Sequence, residues 1–243
     1  MTKVRSQIYF ALFVVNTILF GLLLSTLGWL LPGKWSNAIA NSWAALNSWL
    51  LKVICGLSYR LSGTENLPTS AAIIMSKHQS TWETIALRHI IGGKQAWILK
   101  RELLRIPIFG WALASMSSIA IDRKAGRKAI RQIIEQGITL LNDGYHVMLF
   151  PEGTRTAPGK RGRYAMGGAI LAEKSGFQVI PIAHNAGYFW RRRDINKYPG
   201  VIDVIIGKPI ATKGRHAKEI VREVEMWIES QMDQLPAPTR SNA

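Results

Sequence analysis

Two side chains in residues 76–83 (SKHQSTWE) are suited to proton transfer, His78 and Glu83. A carboxylate bonded to one imidazole nitrogen fixes the histidine tautomer and stabilises the protonated ring, which leaves the other nitrogen to take a proton from a hydroxyl group. Positions five apart on one helix diverge by about 140°, so the two side chains can meet only if His78 precedes a helix that carries Glu83 in its first turn. Ser80 is a candidate nucleophile, but no Gly-x-Ser-x-Gly turn surrounds it. Taken alone, the pair is more typical of a surface histidine beside a glutamate than of a catalytic base.

A second polar segment, residues 150–155 (FPEGTR), follows directly on an apolar run at 146–150 (HVMLF). Glycine lets backbone N–H groups approach an anion, and the planar guanidinium of Arg155 matches a pair of phosphate oxygens. These residues therefore form a candidate phosphate site at the end of a predicted strand. A turn held by an ion pair between Glu152 and Arg155 explains the same residues about equally well.

The two segments, in this order, resemble those of the glycerolipid acyltransferase family, in particular its 1-acyl-sn-glycerol-3-phosphate acyltransferases. The six residues FPEGTR are a highly specific match, and the histidine and acid of the first segment match a block of the form His-x-x-x-x-Asp. Looser matches at residues 119–123 (IAIDR) and 179–182 (VIPI) complete four blocks over roughly residues 70–190.

Two residues depart from the family pattern. Glu83 stands where the family usually has Asp, and Lys77 stands where Asn is common. The longer glutamate must meet His78 through a different rotamer or a small backbone shift. Lipid A acyltransferases share the His–acid pattern and can carry Glu there, but FPEGTR favours the glycerolipid branch.

The resemblance implies an enzyme that transfers an acyl group from acyl-CoA or acyl-carrier protein to the sn-2 hydroxyl of 1-acyl-sn-glycerol-3-phosphate, giving phosphatidic acid. His78 would be the general base on that hydroxyl, with direct attack on the thioester and no covalent acyl-enzyme, and Glu83 would orient His78. The acceptor phosphate would be bound by Arg155, Arg123, Glu152, Gly153 and Thr154. Lys100 and Arg101 would contact the donor or the phosphate, although such a pair is more often solvated surface. We expect no metal, and no cofactor besides the thioester co-substrate.

Short apolar runs alternate with amphipathic stretches through most of the chain, which predicts an α/β domain with a mostly parallel sheet flanked by helices. Strands are predicted at 57–61, 71–75, 96–99, 118–121, 146–150, 178–182 and 201–206. Helices are predicted at 80–91, 124–142, 164–174 and 215–234, with a short apolar one from Pro107. Ligand sites in such sheets lie at the carboxyl ends of the strands, where both polar segments fall. The acyltransferase domain is assigned to 61–235 and a polar tail to 236–243.

The first 60 residues predict a two-helix membrane anchor. Residues 8–31 carry no charge, and as a helix they would extend about 36 Å, enough to cross a hydrocarbon core of about 30 Å. A second, amphipathic helix at 37–57 would lie in the membrane interface or pack on the first. A signal peptide is disfavoured because the apolar run exceeds the usual core of such peptides and no small-residue cleavage pattern follows closely. Ordinary core helices remain the alternative for both segments.

The net charge of +16, from 31 Lys and Arg against 15 Asp and Glu, favours anionic partners. No nucleic-acid-binding motif accompanies it, so the expected partners are membrane lipids, lysophosphatidic acid and the acyl carrier, and not nucleic acid. The basic domain favours the cytoplasmic face of a bacterial inner membrane. Two alternatives stay open: an acceptor other than lysophosphatidic acid, and a non-catalytic lipid-binding membrane protein. A single cysteine, Cys55, excludes an internal disulfide.

Overall fold

The structure, a computed structural model, describes residues 1–235 and 237, and its centre is one seven-stranded sheet. The strands are β1 (Leu57–Ser62), β2 (Ile73–Ser76), β3 (Gln95–Lys100), β4 (Ile119–Ile121), β5 (His146–Leu149), β6 (Val179–His184) and β7 (Gly200–Ile206). The helices are α1 (Thr2–Leu27), α2 (Gly33–Cys55), α3 (Trp82–Ile91), α4 (Phe109–Ala114), α5 (Arg127–Asn142), α6 (Gly167–Ser175) and α7 (Ala217–Gln234). The predicted elements are present with bounds that differ by a few residues. The predicted tail at 236–243 lies outside the described residues except for Ala237.

The strand order is β1-β7-β6-β2-β5-β3-β4. Strands β2 to β6 all run in one direction, whereas β7 is antiparallel to β6 and parallel to β1. The predicted α/β fold with a mostly parallel sheet is therefore confirmed. The central strands β2 and β5 are buried along their whole length, which explains why the sequence shows them as continuous apolar runs and not as alternating ones. Five parallel strands place their carboxyl ends at one edge of the sheet.

Apolar side chains cover both faces of the sheet. On one face, Ile73 and Val147 pack in a cluster with residues of α5, α6 and α7. On the other face, Ile74 and Met148 pack in a cluster with residues of α2, α3 and the start of α1. Because both faces are covered, the open edge at the carboxyl ends of the strands is the place where a polar site can form.

The two amino-terminal helices pack on each other, and α1 also packs along α4. Within the described residues, α1 is the helix that is long and apolar enough to cross a membrane. Most of its apolar side chains are exposed: Val4, Ile8, Phe10, Leu12, Val14, Val15, Ile18, Leu19, Leu22, Leu23 and Leu27. The second helix begins at Gly33, earlier than predicted, and ends before Gly56, which has a φ of 65° in the left-handed region that favours glycine.

The start of α1 is also part of the folded domain. Tyr9 is buried and meets the Trp190 ring edge-on, with ring centroids 5.9 Å apart. The backbone N–H of Lys197 donates to Ser6 Oγ at 2.8 Å. The boundary proposed at residue 60 falls inside β1, a strand that pairs with β7 of the same sheet. The first helix is therefore attached to the sheet domain at its amino end.

Candidate active site

The predicted site residues lie after four adjacent parallel strands. His78 follows β2, and residues 150–155 follow β5, which pairs with β2. Lys100 and Arg101 lie at the end of β3, and Arg123 follows β4. Since these strands are parallel, all the predicted site residues lie along one edge of the sheet, where α/β folds bind their ligands.

His78 and Glu83 form a hydrogen-bonded pair at this edge. Helix α3 begins at Trp82, so His78 lies in the connection before the helix and Glu83 lies in its first turn. The Nδ1 atom of His78 is 2.9 Å from Oε1 of Glu83, which is the contact that the spacing requires. The same oxygen accepts hydrogen bonds from the backbone N–H groups of Gln79 and Ser80, each at 2.7 Å. One carboxylate oxygen therefore closes the strand-to-helix turn and holds the imidazole.

Glu83 is fully buried and remains the anionic member of the pair. Burial raises its pKa, but electrostatic attraction to the imidazoles of His184 and His78 and the hydrogen bonds from His78 and Ser80 outweigh burial, so the pKa lies below its ordinary value. An ionised carboxylate can only accept hydrogen bonds, so Nδ1 of His78 is the donor and its Nε2 is left as a base. Within the described residues, the second oxygen, Oε2, has no hydrogen-bond partner and lies 4.0 Å from Nε2 of His184.

The imidazole of His78 is fixed by stacking as well as by its hydrogen bond. Its ring lies against the ring of Phe150, with centroids 4.0 Å apart and an interplanar angle of 10°. Trp97 packs in turn against Phe150, at 5.9 Å between centroids. The His78 side chain is 12% exposed, and within the described residues its Nε2 has no hydrogen-bond partner. The ring is thus held in place with one nitrogen free to meet a hydroxyl group.

Glu152 makes different contacts from those proposed from the sequence. Its side chain is fully buried, and its Oε2 accepts a hydrogen bond from the backbone N–H of His78 at 2.9 Å. Its Oε1 lies 2.9 Å from Lys77 Nζ and also 2.9 Å from the Thr156 hydroxyl. With both oxygens occupied, Glu152 holds the backbone of His78, and these contacts do not support a direct bond to the acceptor phosphate. The suggested ion pair between Glu152 and Arg155 is likewise absent from the described residues, since the partner of Glu152 is Lys77.

Arg155 and Arg123 border the segment after β5. Arg123 donates a hydrogen bond to the backbone oxygen of Gly153, which connects the end of β4 to this segment. Gly153 has a φ of 66°, and apart from its chain neighbours no residue has an atom within 4 Å of the place where a Cβ would be, so the space beside its backbone is open. Thr154, the next residue, is exposed. Gly153 and Thr154 therefore leave open space beside the backbone of this segment, next to the Arg123 guanidinium.

Arg155 is half-buried and, within the described part of the chain, has no carboxylate partner. Burial lowers its pKa, and the charge of Glu83 partly opposes that shift. Arginine keeps its proton throughout the physiological range, so Arg155 is a cation that forms no ion pair with the described residues. An external anion such as a phosphate would supply the missing charge.

Lys100 and Arg101 lie at the same edge but on the surface. The Lys100 ammonium is 3.0 Å from a carboxylate oxygen of Glu102, and about half of each side chain is exposed. Arg101 is exposed beside them. A contact of these two residues with the donor or the phosphate stays a prediction.

Three buried residues at the site were not among the sequence-predicted candidates: Lys77, His184 and Glu229. His184 ends β6, at the same sheet edge, so its position after an apolar strand was a usable signal. Lys77 was visible as a departure from the family pattern. Glu229 lies on α7, 152 residues after Lys77, and helical periodicity alone does not distinguish it from a surface carboxylate.

Known proteins show the same sequence pattern and the same fold. Residues 58–185 match the family described as Acyltransferase. The chain is 37% identical over 236 residues to a 1-acyl-sn-glycerol-3-phosphate acyltransferase of Pseudomonas aeruginosa, which covers 96% of this chain and 91% of that protein. It is 29% identical over 166 residues to the human protein named 1-acyl-sn-glycerol-3-phosphate acyltransferase alpha, covering 68% of this chain and 59% of that one.

A solved structure shares the fold over nearly the whole chain. The crystal structure of the 1-acyl-sn-glycerophosphate (LPA) acyltransferase PlsC from Thermotoga maritima superposes with a TM-score of 0.81. That match covers 99% of this chain and 98% of the other, at 21% sequence identity. The family match spans more than half of the chain and the Pseudomonas relative nearly all of it. The resemblance expected from the two polar segments is confirmed, and the chain belongs to the Acyltransferase family.

Proposed function

We propose that this protein transfers an acyl group from a thioester, acyl-CoA or acyl-carrier protein, to the sn-2 hydroxyl of 1-acyl-sn-glycerol-3-phosphate, giving phosphatidic acid. The observation that carries the proposal is the pair of His78 and Glu83, in which a buried carboxylate holds Nδ1 and leaves Nε2 free. The names of the relatives, which specify this acceptor, agree with a guanidinium of Arg155 that forms no ion pair with the residues the structure describes.

The proposed reaction needs one base and one leaving group. Nε2 of His78 takes the proton of the acceptor hydroxyl as the hydroxyl oxygen forms a bond to the thioester carbonyl carbon. Glu83, which stays ionised, stabilises the imidazolium that results. The C–S bond then breaks, and the leaving thiolate takes the proton from His78, so that the products are phosphatidic acid and a free thiol. No acyl group is attached to the protein at any step.

The proposed acceptor site places the phosphate near Arg155, within reach of Arg123 and the open backbone beside Gly153. A guanidinium binds two phosphate oxygens in parallel, which fixes both the position and the orientation of the glycerol. Orienting the acceptor brings its hydroxyl to the base and lowers the entropic part of the barrier. This role is limited to binding, because none of these groups exchanges a proton with the substrate.

Replacement of Arg155 by methionine should weaken acceptor binding. We expect the KM for lysophosphatidate to rise about 10- to 100-fold, the effect of losing hydrogen bonds to a charged group, while the KM for the donor stays unchanged. Steady-state kinetics with each substrate varied in turn measures both constants. Arg222→Met, which removes an exposed arginine of α7, is the matched control. An unchanged acceptor KM in the Arg155 variant would place the phosphate elsewhere.

We also propose that α1 and α2 attach the enzyme to a membrane that contains anionic lipid. The exposed apolar side chains of α1 would enter the hydrocarbon. Three exposed tryptophans would lie at the membrane interface, which indole rings favour: Trp29 just after α1, and Trp35 and Trp49 on α2. The first 64 residues contain five basic residues and no acidic one: Lys3, Arg5, Lys34, Lys52 and Arg60. This charge would favour anionic headgroups, and a cytoplasmic location is the arrangement that agrees with it.

One experiment tests the activity and the attachment. The purified protein is mixed with vesicles of phosphatidylethanolamine and phosphatidylglycerol, floated on a gradient, and assayed with lysophosphatidate and either acyl-CoA or acyl-carrier protein. We expect the protein to float and to form phosphatidic acid with at least one donor, with the two donor arms distinguishing CoA from the carrier protein. No phosphatidic acid with either donor would refute the proposed reaction, and a product formed only from another lysolipid would change the acceptor. Protein that remains at the bottom of the gradient would contradict the proposed attachment.

A further inference from the structure

Lys77 is a buried lysine held between two buried carboxylates. Its side chain is 1% exposed, and its Nζ lies 2.9 Å from Glu152 Oε1 and 2.7 Å from Glu229 Oε1. An ammonium group that leaves water loses its hydration, and well-placed carboxylates can offset that loss. Two such partners on one ammonium group indicate a built charge cluster and not an incidental contact.

The backbone of Lys77 is equally occupied. Its N–H donates to the backbone oxygen of Ile182 at 2.9 Å, and its carbonyl oxygen accepts from Nε2 of His184, also at 2.9 Å. Since Nε2 of His184 must carry the proton for this bond, the His184 Nδ1 is left to accept from the backbone N–H of Ala186, at 3.3 Å. Lys77 is therefore fixed at its backbone and at the end of its side chain. The next residue in the chain is His78.

Glu152 connects the lysine to the backbone of the proposed base. One of its oxygens contacts Lys77, and the other accepts the N–H of His78. The position of the Glu152 carboxylate thus depends on the lysine, and the lysine depends in turn on Glu229 of α7. Helix α7 begins at Ala217, beyond the residues 58–185 that match the family.

We propose that Lys77 and Glu229 are positioning residues, and that this ion pair uses helix α7 to hold the Glu152 carboxylate against the backbone of His78. The proposal rests on the proposed function, because it concerns the alignment of the base in that reaction. Neither residue contacts the reacting atoms. The pair also accounts for a lysine at a position where asparagine is common in the family.

The charge balance of the cluster makes the proposal testable. Lys77 stands against two carboxylates, Arg161 lies 3.8 Å from Glu229 Oε2, and the Tyr164 hydroxyl donates to Glu229 Oε1 at 2.9 Å. Burial and the charge of Glu229 keep the pKa of Tyr164 above its ordinary value, so the hydroxyl remains a donor. Without the lysine, two buried carboxylates would face each other, an arrangement that is favourable only when one of them binds a proton.

Three variants separate positioning from simple stability: Lys77→Met, Glu229→Gln and the double variant. We expect Lys77→Met to lower kcat about 100-fold, as small displacements of a base do, with the KM for lysophosphatidate nearly unchanged. The loss should grow as pH rises, because a proton can neutralise one of the facing carboxylates only at lower pH. The double variant should be more active than Lys77→Met, because it removes one of the two opposed charges. Glu135→Gln, which removes an exposed carboxylate of α5 away from the cluster, is the control and should keep the wild-type kcat and pH profile.

A measurement that needs no acyl transfer accompanies the kinetics. Diethyl pyrocarbonate modifies accessible imidazole nitrogens, and mass spectrometry of peptides reads the rate at His78 separately from the exposed His89 and His216. We expect a several-fold change of the rate at His78 in Lys77→Met and a smaller change in the double variant, with His89 and His216 unaffected. If the wild-type protein forms no phosphatidic acid, the proposed function fails while this measurement still decides the role of the pair.

The outcomes that would overturn the positioning role are equally definite. One is a Lys77→Met protein with wild-type kcat, pH profile and His78 modification rate. A second is an effect of the double variant that equals the product of the two single effects, which would show that the residues act independently. A third is a fall in melting temperature with unchanged kcat in the protein that remains folded, which would leave the pair a structural role only. If Lys77→Met does not fold, Glu229→Gln alone gives the test. Its kcat is expected to fall, by less than tenfold, and the rate of diethyl pyrocarbonate modification at His78 is expected to change.

Discussion

Replacement of His78 by alanine should lower kcat by about 10²- to 10⁴-fold, the range that a general base contributes. The acceptor hydroxyl would then lose its proton only to water, while Arg155 and the donor site would still bind their substrates. We therefore expect the KM values for lysophosphatidate and thioester to change little. Formation of phosphatidic acid in vesicles, followed over a range of each substrate, measures the two effects separately.

The control for this variant is His89→Ala, which removes an exposed histidine from α3, the helix that carries Glu83. It should leave kcat unchanged. Since the His78 ring stacks on Phe150, the melting temperature of both variants is needed to separate lost chemistry from lost packing. A folded His78→Ala protein with kcat close to wild type would show that another group takes the hydroxyl proton. If neither the wild-type protein nor the variant forms product, the interpretation as a non-catalytic lipid-binding protein would apply.

Much of the site was predictable because it depends on local rules. The spacing of five residues requires His78 to precede the helix, and α3 does begin at Trp82. Apolar runs before residues 76–83 and 150–155 predict buried strands, and parallel strands bring their carboxyl ends to one edge. These steps need only helical periodicity, strand patterning and the geometry of a parallel sheet.

The roles of Glu152 and Lys77 were not predictable in the same way. A glutamate directly before a glycine looks like part of an anion-binding turn, and a lysine in place of asparagine looks like a simple departure. Their contact joins the ends of two adjacent strands, and Glu229 reaches them from α7. Lys77 is separated from Glu152 by 75 positions and from Glu229 by 152 positions. Contacts at such separations leave no periodic pattern in a single sequence, so only the folded chain shows them.

The internal ion pairs of the site determine which of its basic residues can attract an anionic substrate. Lys77 is neutralised inside the protein by two carboxylates, so it contributes nothing to attraction of a substrate. Among the described residues, Arg155 has no such partner, and the hydrogen bond of Arg123 goes to a backbone oxygen in the segment after β5. Of the basic residues at this edge, the guanidinium groups are therefore the ones available to an anionic acceptor. The net charge of +16 indicates an anionic partner, but only this local difference indicates where that partner binds.

Replacement of Glu83 by glutamine should reduce kcat nearly as much as loss of His78, by about 10²- to 10⁴-fold. The amide keeps an oxygen that can accept from Gln79 and Ser80, but it cannot stabilise the imidazolium that forms when His78 takes the proton. Because an amide can donate as well as accept a hydrogen bond, it does not force the His78 proton onto Nδ1. The tautomer with a basic Nε2 is then no longer favoured. Glu83→Asp, which restores the residue usual in the family, keeps the negative charge and should lose only about tenfold, because the shorter side chain must still reach the two N–H groups.

Replacement of Glu83 by glutamine also lowers the stability of the fold, independently of its effect on kcat. The pKa of Glu83 is lowered in the folded protein, so its ionised form stabilises the fold above the ordinary carboxyl range, and this contribution is lost as pH falls through the folded pKa. The melting temperature of Glu83→Gln should therefore lie furthest below that of wild type near pH 7, and the two should converge toward acid pH. Melting curves from pH 7 down to about pH 2, below the ordinary carboxyl range, measure the difference, with Glu135→Gln, a change at an exposed glutamate of α5, as control. A difference that is constant across this range would mean that Glu83 contributes through packing and not through its charge, and it would remove the electrostatic reason for assigning His78 as the base.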